Sequence, residues 1–350
     1  MSLCLHKKSG DGINIFFWDY IAINCYTLIA IDTQTPLPSL QKLLEANNWL
    51  NPNEKINTLS KPGEGNMNVV LRVKTNQRSF ILKQSRPFVQ KYQQIEAPLN
   101  RIEVEYNFYE AIQETSITSH IPAILGFDQK NYLMQMEDLG KCEDMTFCYR
   151  ERSIAQDILE KLINIAETIH EVGRIDNFPQ NMVLRELNHQ HIFVLPFLED
   201  NGFQLNDVQQ GLQELSLPYK RDNAIKAVVN NLGDMYLSKG NVLIHGDYYP
   251  GSWMQLKNEV YIIDPEFSFI GFREFDLGVM TAHLIMATME PSSLKKVMQL
   301  YKADADSGLV SQVAGIEIMR RLIGLAQLPL ERTISEKDDL LQLARKMILV

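Results

Sequence analysis

Two short apolar runs, Val242-Leu243-Ile244 and Val260-Tyr261-Ile262-Ile263, each end in an acidic motif within a stretch that otherwise reads as helix. Runs of three or four apolar residues bounded by turn formers have the length of buried strands, not of helices. The first delivers His245-Gly246-Asp247-Tyr248-Tyr249-Pro250-Gly251-Ser252 and the second Asp264-Pro265-Glu266-Phe267. Around them, amphipathic periodicity predicts helices near 154–170, 205–215, 224–237, 277–289, 294–301, 308–325 and 337–348. A fold that accepts this chain must hold two strands inside a mainly helical body and present an acid at the end of each.

The chain before residue 139 has a different texture. A helix near 40–48 leads to Ile56-Asn57-Thr58-Leu59, where the globular pattern begins. Val69 to Val73 and Phe80 to Lys83, joined by Thr75-Asn76-Gln77, read as a hairpin by their β-branched content and polar bounds. A helix over 98–114 aligns Ile102, Glu105, Tyr109 and Ile112 on one face, and strands near 123–127 and 132–136 complete a small sheet. This order is that of an α+β, two-lobed, protein-kinase-like fold with a small antiparallel N-lobe and a larger, mainly helical C-lobe. The expected division is an N-terminal extension over 1–36, a nucleotide-binding N-lobe over 37–138, and a catalytic and acceptor-binding C-lobe over 139–350.

Composition narrows the function. Of 350 residues 45% are hydrophobic and 22% charged, enough to bury a core. The net charge of −9, with no long Lys/Arg run, argues against nucleic acid as a partner. Cys4, Cys25, Cys142 and Cys148 form no CxxC pair and no zinc spacing, which fits a reducing cytoplasm. Residues 13–29 are mostly apolar after Lys7 and Lys8, as at the start of a signal or anchor segment, but Asp19, Asn24 and Tyr26 interrupt them. A carboxylate at mid-membrane costs ~2.5 kcal/mol or more, so the reading is of an extension and not a membrane span. A homodimer is compatible with all of this.

Phosphoryl transfer needs a carboxylate to orient the attacking hydroxyl and others to hold Mg²⁺ against the nucleotide phosphates. Asp247 fits the first role, and Asp264 and Glu266 the second. His245 is expected to brace the loop and not to act as a base. Gly63-Glu64-Gly65-Asn66-Met67-Asn68 lies between candidate strands, where a turn brings backbone N–H groups over phosphates, although a glycine pair in a hairpin is often only a turn. No GxxxxGK[ST] is present, which removes a P-loop. Lys83 ends a strand from which it would reach the α/β-phosphates. Its carboxylate partner is Glu103 or Glu105, and the apolar stripe favours Glu105. Met136 and Glu137 close the last N-lobe strand, where the chain should offer backbone groups to adenine.

These segments resemble the aminoglycoside phosphotransferase and choline kinase superfamily and, within it, the 5-methylthioribose kinases. The likeness rests on residues 63–73, on Ile81-Leu82-Lys83-Gln84 with Arg86-Pro87-Phe88-Val89, on Met136-Glu137-Asp138-Leu139, on the two acidic motifs, and on Arg320-Arg321-Leu322-Ile323-Gly324-Leu325-Ala326. The resemblance implies ATP and Mg²⁺ as cofactors, and Gly63, Gly65, Asn66, Asn68, Lys83, Glu105, Met136 and Glu137 around the nucleotide. It implies Ser252 in place of a catalytic-loop asparagine near the metal, and Arg320 and Arg321 against a sugar. The implied reaction is transfer of the ATP γ-phosphate to the 1-hydroxyl of 5-methylthioribose, in methionine salvage.

Three segments depart from that family. Tyr248-Tyr249-Pro250 stands where it tends to carry leucine, histidine and threonine, and Glu96-Ala97-Pro98-Leu99-Asn100 where it has a Trp-Pro lid. Phe272-Arg273-Glu274 replaces a shorter, more apolar approach to Phe275-Asp276-Leu277-Gly278. The competing expectations are a kinase for another sugar, an amino alcohol or an aminoglycoside, and a non-catalytic nucleotide-binding protein. An arginine pair in the acceptor site would repel a polycation, and Lys83, Asp247, Asp264 and Glu266 are all retained.

Overall fold

The computed structural model describes residues 28–63 and 67–350. The apolar stretch up to residue 27, with Cys4 and Cys25, and the Glu64, Gly65 and Asn66 positions lie outside the described residues. No helix among the described residues is long and apolar enough to cross a membrane.

The N-lobe is built on a five-stranded antiparallel sheet. Its strands are β1 (Ile56–Ser60), β2 (Val69–Thr75), β3 (Ser79–Gln84), β6 (Ile124–Asp128) and β7 (Leu133–Glu137), in the order β1-β2-β3-β7-β6. Alternation sets which face is buried: Val69, Leu71 and Val73 point to one side and join Phe80, Leu82 and Leu133 in a core closed by Leu40 and Leu44 of α1 (Leu37–Ala46). Ile31 also enters this core, and its backbone meets the Gln84 and Arg86 side chains. The last part of the expected extension is therefore packed on the sheet. Register places Lys83 opposite Val70 on one side and Met134 on the other, in the middle of the sheet. A small hairpin, β4 (Phe88–Val89) and β5 (Tyr92–Glu96), precedes α2 (Arg101–Ile112). It was not foreseen, because its strands are two and five residues long and show no sustained alternation.

The C-lobe contains β8 (Glu143–Asp144), α3 (Phe147–Glu151), α4 (Gln156–Glu171), α5 (Met182–His189), α6 (Leu212–Lys220), α7 (Asn223–Leu237), β9 (Val242–Ile244), β10 (Trp253–Leu256), β11 (Glu259–Ile262), β12 (Phe269–Gly271), α8 (Arg273–Thr288), α9 (Ser293–Leu300), α10 (Ser307–Ile323) and α11 (Ile334–Ile348). The helix expected over 205–215 is instead one 3-10 turn, Leu205–Asp207, and then α6, because Gly211 takes φ +89° and breaks the run. At the centre lies α8, buried from Phe275 to Ala287. Gly278 lets α10 approach it closely, since a Cβ there would sit 2.5 Å from the Val313 side chain. Asp306 caps α10 by accepting from the Gly308 and Leu309 N–H groups, and Thr333 with Glu336 forms a capping box on α11. β9 pairs with β12, and β10 with β11, so both acidic motifs leave short ladders buried under α4 and α8.

Candidate active site

The strand ends bring the acids to the cleft between the lobes. β9 ends at Ile244, and the turn after it is fixed from below: the His245 and Gly246 N–H groups donate to the Asp276 carboxylate of α8 at 2.7 and 2.9 Å. Gly246 sits at φ +80°, where a Cβ would lie 2.2 Å from the Phe267 carbonyl oxygen, so this turn requires glycine. His245 is fully buried, packs edge-on against Phe108, and bonds the Ile263 carbonyl through Nε2 at 3.1 Å. It therefore ties one acidic motif to the other, as a brace. Asp276 was not foreseen as a site residue. Its signal was an acid at a helix start after an apolar run, which is common.

Asp264 follows β11 in the left-handed region at φ 62°, a costly conformation for a residue with a Cβ. Its side chain is 47% exposed. Lys83 Nζ lies 2.5 Å from Asp264 Oδ1 and 2.6 Å from Glu105 Oε2, so the lysine bridges the sheet, α2 and the C-lobe. Burial opposes the Lys83 charge, but Asp264, Glu105 and Glu266 outweigh it and hold the ammonium above the usual lysine range. Burial pushes Glu105 up to about 8 against the pull of Lys83. Glu103 does not join this group.

Glu266 is buried, and its Oε2 accepts from Asn68 at 3.0 Å and faces Arg101 Nε at 3.3 Å. Arg101, with no exposed surface, also donates to Asn68 Oδ1 and to the carbonyls of Met67, Arg86 and Pro98. Asn68 is thus engaged with Glu266 and Arg101. Burial raises the Glu266 carboxyl against Lys83 and Arg101. Arg101 escaped sequence reasoning because an arginine at a helix start is usually solvated; only tertiary packing buries it.

A cleft of about 130 Å³ is lined by Val70, Ile81, Lys83, Met136, Ile263 and Asp264 among others. Met136 is buried, and the Glu137 side chain accepts from the Ala123 N–H. Gly63 borders an adjoining space, and a Cβ there would meet nothing. Ser252 is buried at the end of the loop, its carbonyl accepting from the Ile263 N–H at 3.0 Å.

On the other side of Asp247 lies a cavity of about 380 Å³. Asp247, Tyr249, Arg320 and Arg321, with Lys91 and His191, form its polar wall, and Met67, Val89, Tyr92, Ile95, Leu187 and Leu325 its apolar one. The hairpin β4–β5 supplies Val89, Tyr92 and Ile95, so a different segment stands over the cavity from the one expected to carry a tryptophan. Arg321 Nη2 is 3.8 Å from Asp247 Oδ1, and its guanidinium lies over the Tyr249 ring at 4.8 Å. Burial raises Asp247 to about 6, against Arg321 and Arg320.

Together the five-stranded lobe, the helical lobe and a cleft holding a lysine and acids from two strand ends define a two-lobed phosphotransferase of the protein-kinase-like class. A profile of the phosphotransferase enzyme family (APH) matches residues 58–308, and the chain belongs to that family. It is 25% identical to a methylthioribose kinase of Exiguobacterium sibiricum over 83% of this chain and 85% of that protein. It is also 25% identical to methylthioribose kinase 1 of Oryza sativa over 66% of this chain and 56% of that protein. The fold is similar to that of LicA in complex with AMP (TM-score 0.52, 14% identity, 89% of this chain and 97% of that one). It is equally similar to that of a spectinomycin phosphotransferase bound to ADP and spectinomycin (TM-score 0.52, 12% identity, 91% of this chain and all of the other).

Proposed function

We propose that the protein transfers the ATP γ-phosphate to a sugar hydroxyl, with the 1-hydroxyl of 5-methylthioribose as the acceptor. The observation that carries this reading is the position of Asp247. It faces the arginine-walled cavity on one side, and its loop is tied through His245 to the motif of Asp264 and Lys83 on the other. In this reading Lys83, oriented by Glu105, binds the nucleotide phosphates beside Gly63, and Gly65 and Asn66, outside the described residues, are assigned to the nucleotide by the resemblance alone. Asn68 positions Glu266, while Met136 and the Glu137 backbone border adenine. Asp264 offers an open carboxylate for Mg²⁺, and Glu266 has one oxygen committed to Asn68 and Arg101, leaving the other for the metal. An all-oxygen donor set suits Mg²⁺, which would neutralise charge developing on the transferred group. Ser252 completes that side.

The cavity is suited to an acceptor with one polar and one apolar end. Arg320 and Arg321 would hold vicinal hydroxyls, Asp247 would take the proton of the attacking one, and Val89, Tyr92, Ile95 and Leu325 would pack a methylthio group. Two guanidinium groups make the site hostile to an aminoglycoside. The free thiols of Cys142 and Cys148 support a cytoplasmic setting. ADP release should be measured against methylthioribose, other pentoses, amino alcohols and an aminoglycoside. Preference for methylthioribose supports the reading, and preference for an amino alcohol or aminoglycoside sinks it.

A further inference from the structure

Adjacent arginines on a helix diverge by about 100°, so Arg320 and Arg321 have no intrinsic reason to share a cavity. Glu317 draws them together. It stands three residues before one and four before the other, the two spacings that place helical side chains on a common face. Arg320 Nη1 donates to its Oε2 at 2.9 Å and Oε1 at 3.1 Å, and Arg321 Nε donates to Oε1 at 2.6 Å. From α8, His283 Nε2 also meets Oε1, at 3.1 Å, and His283 Nδ1 meets the Tyr149 hydroxyl of α3 at 2.6 Å. Glu317, His283 and Tyr149 are buried and do not line the cavity. The groups facing Glu317 are thus Arg320, Arg321 and His283. Those acting on Asp247 are Arg321 and Arg320, which stabilise its charge, and Glu317 and Asp264, which oppose it.

We propose that Glu317 is a positioning residue for phosphoryl transfer: it competes with Asp247 for Arg321, holding that guanidinium 3.8 Å from the catalytic carboxylate instead of in contact with it. Asp247 then keeps its lone pairs for the acceptor hydroxyl, while both arginines remain aimed into the cavity. The two arginines, Glu317 and Asp247 also balance in charge. With Glu317 neutral, the cluster carries one uncompensated positive charge, and the nearest remaining anion for Arg321 is Asp247. The strong attraction of both arginines keeps Glu317 ionised, well below the usual carboxylate range against its burial. His283, driven down to about 4 chiefly by burial, is neutral and serves as a donor that orients the carboxylate.

This inference rests on the kinase reading, and its test separates the two. Glu317→Gln and Glu317→Asp are compared with wild type for acceptor kinetics, ATP KM, melting temperature and the pH profile of kcat/KM. The expected result for Glu317→Gln is at least a tenfold loss in kcat/KM for the acceptor with ATP KM unchanged. Its acid limb should move to lower pH, because Asp247 paired with Arg321 is a weaker base. Glu317→Asp keeps the charge but not the reach; it should lose acceptor affinity and leave the limb in place. Combining Glu317→Gln with Arg321→Ala should cost less than the sum of the two single changes, because part of the effect of Glu317 passes through Arg321 and the rest through Arg320. Normal acceptor kinetics in either folded variant, or an unmoved acid limb in Glu317→Gln, would overturn the proposal. So would collapse of both variants, which would mark Glu317 as a structural brace. If wild type phosphorylates no acceptor, the kinase reading itself fails.

Discussion

Replacing Arg321 by Gln removes a guanidinium 3.8 Å from Asp247 without removing a hydrogen-bonding side chain. In wild type, burial holds the Asp247 carboxyl at about 6, with Arg321 pulling it down. In the proposed mechanism the base form is the active one, so kcat/KM for the acceptor should rise with pH through about 6 and then level, standing about tenfold below the plateau one pH unit lower. A unit charge at 3.8 Å is worth about 1 kcal/mol in water-like surroundings and about 4 kcal/mol at an effective dielectric near 20. At 1.36 kcal/mol per pH unit, losing it moves the limb up by about one to three units. Glu317 shares the guanidinium, which places the expected shift toward the lower end. The assay is ADP release at saturating MgATP across the pH range, with ATP KM checked at each point. An acid limb that stays in place or moves down would refute the assignment of Asp247 as the group titrating under the influence of Arg321.

Asp264→Ala should weaken Mg²⁺-dependent ATP binding at least tenfold, measured by titration calorimetry; an unchanged Mg²⁺ requirement would count against it. Arg101→Leu strands buried Glu266 beside Asn68 and should cost about 3–5 kcal/mol of stability, seen in denaturant melts. Gly246→Ala forces a Cβ onto the Phe267 carbonyl at 2.2 Å and should lower kcat more than tenfold while nucleotide still binds; near-normal turnover would show that the loop yields.

Much of the fold was legible because it is written in local pattern. The hairpin expected at 69–73 and 80–83 is β2–β3, and Glu105, chosen over Glu103 by the stripe it shares with Ile102 and Tyr109, is the acid that meets Lys83. The helix expected from 98 begins at Arg101, and the Pro98 carbonyl, which a helix from 98 would give to an i+4 N–H, accepts from the Arg101 side chain instead. What sequence could not reveal was long-range. Arg101 and Asp276 look like solvated helix-start residues until partners 165 and about 30 residues away bury them. Arg320 and Arg321 both line the cavity, and both are bonded to Glu317. The β4–β5 hairpin carries no periodicity strong enough to announce a cavity wall.

In the proposed reaction Asp247 activates a sugar hydroxyl for attack on ATP. Phosphorus NMR of the product from wild type with methylthioribose and MgATP, run beside Asp247→Asn, tests it most directly. The expected result is a phosphate on the 1-position with wild type, and none with Asp247→Asn although that variant still binds MgATP. Turnover by Asp247→Asn within tenfold of wild type would contradict it.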